Sequence, residues 1–134
     1  MKTLIISDFS KTFTAPTSKT TWSLFKESGL FPEEYSKRRD ELFEVYRPYE
    51  IAGDNAKVRE WFQKHLELLA EYDAVSKIPE VIRISGEKGY LLPREGMEEF
   101  RTWCQKNLVE LQFVSSGITE LIEAFIEKEN PSLL

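Results

Sequence analysis

The chain has 134 residues, 41% of them hydrophobic and 31% charged, with a formal net charge of −5 at pH 7. That size fits one domain with a real core. The acidic balance, with no basic patch, argues against nucleic acid or a membrane surface as partner, and no apolar run approaches the length of a bilayer span. The single cysteine, Cys104, permits no internal disulfide, and no secretory segment follows Leu4–Ile6, so a reducing cytoplasm is the expected compartment.

In chain order, the apolar run Leu4-Ile5-Ile6 predicts a short buried strand over residues 3–7, followed by a loop through Pro16. Thr17 or Ser18 caps a helix to about Ser28, which Gly29 closes. Pro32-Glu33-Glu34 opens a second helix with Tyr35, Leu42, Phe43 and Tyr46 on one face, stopping before Pro48. The run Lys37-Arg38-Arg39 leads straight into Asp40-Glu41 and reads as a solvated helix face. Asp54 or Asn55 caps a third helix to about Tyr72, whose apolar band (Val58, Trp61, Phe62, Leu66, Leu69, Tyr72) is broad enough to be sandwiched between neighbours. On it, the lone His65 has no partner at metal-ligand spacing and reads as a helix-surface or boundary residue. Residues 76–92 fit a short helix after Pro79 or a strand. A helix from about Met97 to Asn107 turns Met97, Phe100, Trp103, Cys104 and Leu108 inward, with Cys104 a core residue. A second strand spans Val109–Val114, and a last helix, Ile118 to Lys128, carries an apolar stripe of helical spacing.

Strand, helices, strand, helix is an α/β plan, predominantly helical, with a large helical insertion after the first strand. In a parallel sheet, ligands meet the C-terminal ends of the strands. Asp8, followed by Ser10, Thr12 and Thr14, stands at one such end as a candidate nucleophile or metal ligand, or simply as a turn cap. Ser115-Ser116-Gly117 stands at the other, directly before a helix, as an N-cap or a phosphate site.

These stretches carry a resemblance. LIISDFSKTFT is similar to the first motif of the haloacid dehalogenase-like phosphohydrolases, a hydrophobic strand followed by Asp-x-Asp-x-Thr, and FVSSG to their second. The resemblance is closest to the cytosolic pyrimidine 5′-nucleotidase branch of the phosphoserine-phosphatase-like group. There the first motif precedes a helical cap, a Glu-Trp-aromatic helix like Glu60-Trp61-Phe62, a Glu-Gly turn like Glu95-Gly96, and a Phe-Ser-Ala-Gly-Ile motif echoed by Val114-Ser115-Ser116-Gly117-Ile118.

It implies a partial parallel core (1–16 and 93–134) with a helical cap (17–92) inserted after the first motif. It also implies Asp8 as nucleophile and Mg²⁺ ligand, Ser10 offering its carbonyl to the ion, Thr12 and Ser115 (with Ser116 and Gly117) on the phosphoryl group, and Trp61 and Phe62 as cap residues that stack on a base or pack in the core. Two departures stand out. The second Asp of the first motif, the family's general acid and base, is Ser10, and the third-motif Lys and fourth-motif acids would lie beyond this sequence. The readings are therefore a Mg²⁺-dependent phosphohydrolase acting on nucleoside monophosphates, or a degenerate relative that binds a phosphorylated ligand or a protein. Two strands alone leave an open sheet edge, so a homodimer or association with a second chain is expected.

Overall fold

The computed structural model describes residues 2–129. In chain order it contains β1 (Leu4–Ser7), α1 (Thr21–Glu27), α2 (Glu33–Ile51), α3 (Asn55–Glu71), α4 (Ala74–Glu87), α5 (Met97–Lys106), β2 (Glu110–Phe113) and α6 (Thr119–Glu129). The α/β plan holds: β1 and β2 pair in parallel, Leu4 opposite Glu110 and Ser7 opposite Phe113. Helix α2 lies along α3, α3 packs on α4, α4 on α1 and α6, and α5 on β2. The stretch assigned above to 93–134 ends beyond the described residues.

One core runs through these layers. Phe9 and Phe13 from the loop after β1 join Leu24, Phe25 and Tyr35, then Val81, Leu121 and Phe125. Phe13 sits edge-on to Phe113 at 4.7 Å between ring centres, and Phe9 to Phe125 at 5.7 Å. Aromatic edge-to-face contacts of this kind add to the stabilisation from burial itself. The α6 stripe is buried throughout, from Ile118 and Leu121 to Ile126. Asp54 caps α3 by accepting the Lys57 N–H, as the sequence indicates.

Several expectations are corrected. Strand β1 is not buried: Leu4 is 47% and Ile6 62% exposed, because their face carries Glu110 and Gln112 opposite and no layer of the described residues covers it. Helix α1 starts at Thr21, not at residue 17 or 18. The chain before it is held extended by Ala15 N–H to the Leu92 carbonyl and Lys19 N–H to that of Tyr90, and Ser18 spends its hydroxyl on Leu92. Helix α2 continues through Pro48, whose missing N–H falls in the last turn while its carbonyl still accepts from Ala52.

Residues 76–92 resolve mostly as helix. Helix α4 accommodates Pro79 and buries Ile78, Val81, Ile82 and Ser85, and Gly89, at φ +71°, follows it. Helix α5 is rotated from the expected face, leaving Trp103 51% and Leu108 87% exposed, while Arg101 is buried beside Cys104. The inward positions Met97, Phe100, Arg101 and Cys104 are a regular i, i+3, i+4, i+7 stripe. Phe43 and Leu66 point outward, and His65, read as a surface or boundary residue, is buried.

Candidate active site

The parallel pairing brings the two motif stretches together. The Val114 N–H donates to the Ser7 carbonyl at 2.9 Å, so Asp8 and Ser115 lie one and two residues beyond the ends of adjacent strands. After Asp8 the loop coils so that the amides of Thr12, Phe13 and Thr14 all point at the Phe9 carbonyl. Phe9 and Phe13 turn into the core, which sends Asp8 and Thr12 to the surface and leaves Ser10 half-buried. The Asp8 carboxylate accepts from the Phe9 N–H at 2.8 Å and from the Thr12 hydroxyl at 3.3 Å. Lys11 takes the left-handed region at φ +60°, rare for a residue with a Cβ, and its N–H donates to the buried Thr14 hydroxyl at 2.8 Å.

Arg94, which sequence reasoning passed over, clamps this loop from outside. Its guanidinium donates to the carbonyls of Lys11 and Thr12 at 2.6 and 2.7 Å, and its own N–H to that of Phe13 at 2.9 Å. Beneath the loop, the buried Arg101 guanidinium lies 5.3 Å from the Phe13 ring centre. Nothing local in the sequence marks Arg94; Arg101 was legible only as part of the α5 stripe.

The second loop is held as closely. Ser115 Oγ accepts the Gly117 N–H at 3.0 Å, Thr21 Oγ1 accepts the Ile118 N–H at 2.8 Å, and Trp22 Nε1 donates to the Ser116 carbonyl at 2.9 Å. A Cβ on Gly117 would stand 2.7 Å from Thr21 Oγ1 and 3.1 Å from Ser115 Oγ, so only glycine fits. Ser115 and Ser116 are both exposed.

From Ser116 a cavity of about 350 Å³ opens between α1, α2 and α3, a size suited to a small ligand. One wall is aromatic. Trp22 stacks on Phe62 at 5.1 Å and 8°, with His65 4.9 Å from the indole, and Trp61 continues the surface toward Tyr46. The opposite rim is polar: Arg39, and Arg47 ion-paired to Glu50. Burial, helped by the charge of Arg39, lowers the His65 pKa to about 4, so the ring is neutral near pH 7, hydrogen-bonded at 3.3 Å to Tyr35. The same burial raises the Tyr35 pKa to about 12. Trp61 and Phe62, singled out in the sequence, both line the cavity, as do Trp22, His65, Arg39 and Glu50, which the sequence reading did not assign to a site. A charged groove between α2 and α3, spanned by the Arg38–Glu71 pair, touches neither loop.

Among the described residues, no three His, Cys, Asp or Glu side chains converge on one point. A cation here would lean on the Asp8 carboxylate and backbone oxygen, with water or phosphate completing its shell, which suits Mg²⁺ better than a metal needing an all-protein cage. No helix among the described residues is long and apolar enough to cross a membrane.

Comparison with known proteins agrees with this fold. No curated protein matches the chain at a significant level. Among solved structures, cytosolic 5′-nucleotidase IIIB bound to cytidine superposes with a TM-score of 0.73 at 22% identity, covering 96% of this chain and 45% of that one. The chain thus spans less than half the length of that solved relative. The family model of the UMPH-1 pyrimidine 5′-nucleotidases matches residues 6–133. With the family model matching nearly the whole chain, and Asp8 and Ser115 both following the C-terminal ends of its parallel strands, the chain belongs to the pyrimidine 5′-nucleotidase (UMPH-1) family, within the haloacid dehalogenase-like superfamily.

Proposed function

We propose that this site takes a nucleoside 5′-monophosphate, its phosphate at the junction of the two strand ends and its base in the aromatic cavity. The observation that carries this reading is continuity: Ser116, in the second loop, also lines the cavity walled by Trp22, Phe62 and His65. A cytidine-bound relative of the same fold supports it.

In this reading the segment 17–92 is a cap over a partial core formed by 1–16 and 93–134. An Asp8 oxygen forms a bond to phosphorus as the ester P–O bond breaks, and the leaving 5′-oxygen takes up a proton. Water then cleaves the aspartyl phosphate, releasing phosphate and restoring Asp8. Thr12, Ser115 and Ser116 donate hydrogen bonds to the phosphoryl oxygens, beside the Gly117 turn. Mg²⁺, held by Asp8 and the Ser10 carbonyl, would stabilise charge on those oxygens. Ser10 stands where the leaving group needs an acid. A hydroxyl is a poor proton donor at neutral pH, so water must serve, at a cost typically of about 10²–10⁴ in rate.

That residue favours a second reading, a relative that binds nucleotides without turning them over. Phosphate release from a panel of nucleoside monophosphates with Mg²⁺, set against Asp8→Asn, separates the two. Release that disappears with Asp8→Asn supports the enzyme. Nucleotide binding with no release in either protein supports the binder. The exposed Leu4 and Ile6 further support covering of this sheet face, and the open edge of the two-stranded sheet supports pairing, by additional polypeptide in a homodimer or a second chain. Sedimentation showing a compact, stable monomer would remove that part.

A further inference from the structure

We propose that Trp22 couples the two halves of the site, so that filling the cavity orders the phosphate loop and the reverse. This rests on the nucleotide reading above. The indole face stacks on Phe62 at 5.1 Å and lies 4.9 Å from His65, so an occupant of the cavity fixes the ring. Its edge donates to the Ser116 carbonyl at 2.9 Å, so a fixed ring fixes the loop.

The neighbouring Thr21 reinforces the link, because its hydroxyl oxygen accepts the Ile118 N–H at 2.8 Å where α6 begins. The first turn of α1 therefore grips the 115–118 loop at two points while its tryptophan face belongs to the cavity. Within the loop, Gly117 donates to Ser115 Oγ, which leaves the Ser115 hydroxyl proton free to donate to a ligand. A loop in this state presents donors to an anion; a loop freed from Trp22 loses that arrangement. One hydrogen bond biases such a two-state loop by a factor of a few up to about tenfold, and linkage makes the bias reciprocal.

Titration calorimetry of cytidine binding, with and without millimolar inorganic phosphate, tests this in the full chain. In the wild type, phosphate should tighten cytidine about 5-fold or more. Trp22→Phe keeps an aromatic face and removes the N–H: whatever the variant's own cytidine affinity, the ratio of its affinities with and without phosphate should fall below about 2-fold. Should Trp22→Phe fold poorly by circular dichroism, benzothienylalanine at position 22 preserves the bicyclic shape without the donor and should give the same loss. An undiminished phosphate effect in either variant overturns the coupling. A wild type that binds cytidine with no phosphate effect also overturns it and leaves the nucleotide reading standing. A wild type that binds neither probe overturns both.

Discussion

The two halves of the candidate site are built differently. The cavity is a packed feature: stacked rings, a buried neutral histidine and a salt-bridged rim, with geometry set by side chains. The strand-end loops lie at the surface, and their shape is set almost entirely by hydrogen bonds to backbone atoms, at Phe9, Lys11, Thr12 and Ser116. The cavity offers an aromatic wall and a polar rim. The loops offer a carboxylate and hydroxyls but neither a protonating acid nor a cluster of metal-binding side chains among the described residues. In this molecule recognition is better furnished than chemistry.

The sharpest way to break that contrast is to supply the missing acid. Ser10→Asp should raise phosphate release from nucleoside monophosphates by about 10²–10⁴, and adding Asp8→Asn should abolish the gain. No gain in Ser10→Asp would mean that the loops lack more than a proton donor.

The cavity can be probed through pH. The His65 pKa is lowered to about 4 in the fold, chiefly by burial and then by Arg39, against an ordinary 6.5. The unfolded chain therefore binds the extra proton between those values, so the contribution of His65 is fully present above about pH 6.5 and is lost as pH falls toward 4. A shift of this size corresponds to roughly 3 kcal/mol. Urea midpoints should fall over that window, and His65→Gln should flatten the slope there relative to wild type.

The loops respond to packing and to their clamp. Gly117→Ala forces a methyl group to 2.7 Å from Thr21 Oγ1 and should destabilise by about 1–3 kcal/mol, with loss of phosphate binding before loss of the cavity. Arg94→Met removes two donors from the Lys11 and Thr12 carbonyls. It should cost about 1 kcal/mol and raise amide exchange at residues 9–14 while leaving α2 and α3 unaffected.

How far the sequence could be read follows the range of the interactions. Helices α3 and α6 are local facts: Asp54 accepts from Lys57 three residues on, and the stripe from Ile118 to Ile126 needs only its own spacing. The motif ends were readable because residue type and strand position coincide at Asp8 and Ser115. His65 had a signal that was missed, since it shares a helix face with Phe62, Leu68 and Leu69. Trp22 and Arg94 had none, because each acts on backbone 94 or about 80 residues away in sequence. The exposure of β1 was also hidden: an apolar run looks the same whether or not a layer covers it.

The pairing of Leu4 with Glu110 has a kinetic meaning as well. Helices α2 and α3 can form from neighbours in sequence, but β1 cannot pair until roughly a hundred residues of chain have been made and folded back, and closing so long a loop is entropically slow. Asp8 comes beside Ser115 only once that closure is complete. The backbone of Leu4-Ile5-Ile6 therefore stays unpaired until β2 has emerged, and hydrogen exchange pulse-labelled during refolding should find the β1 amides among the last to be protected.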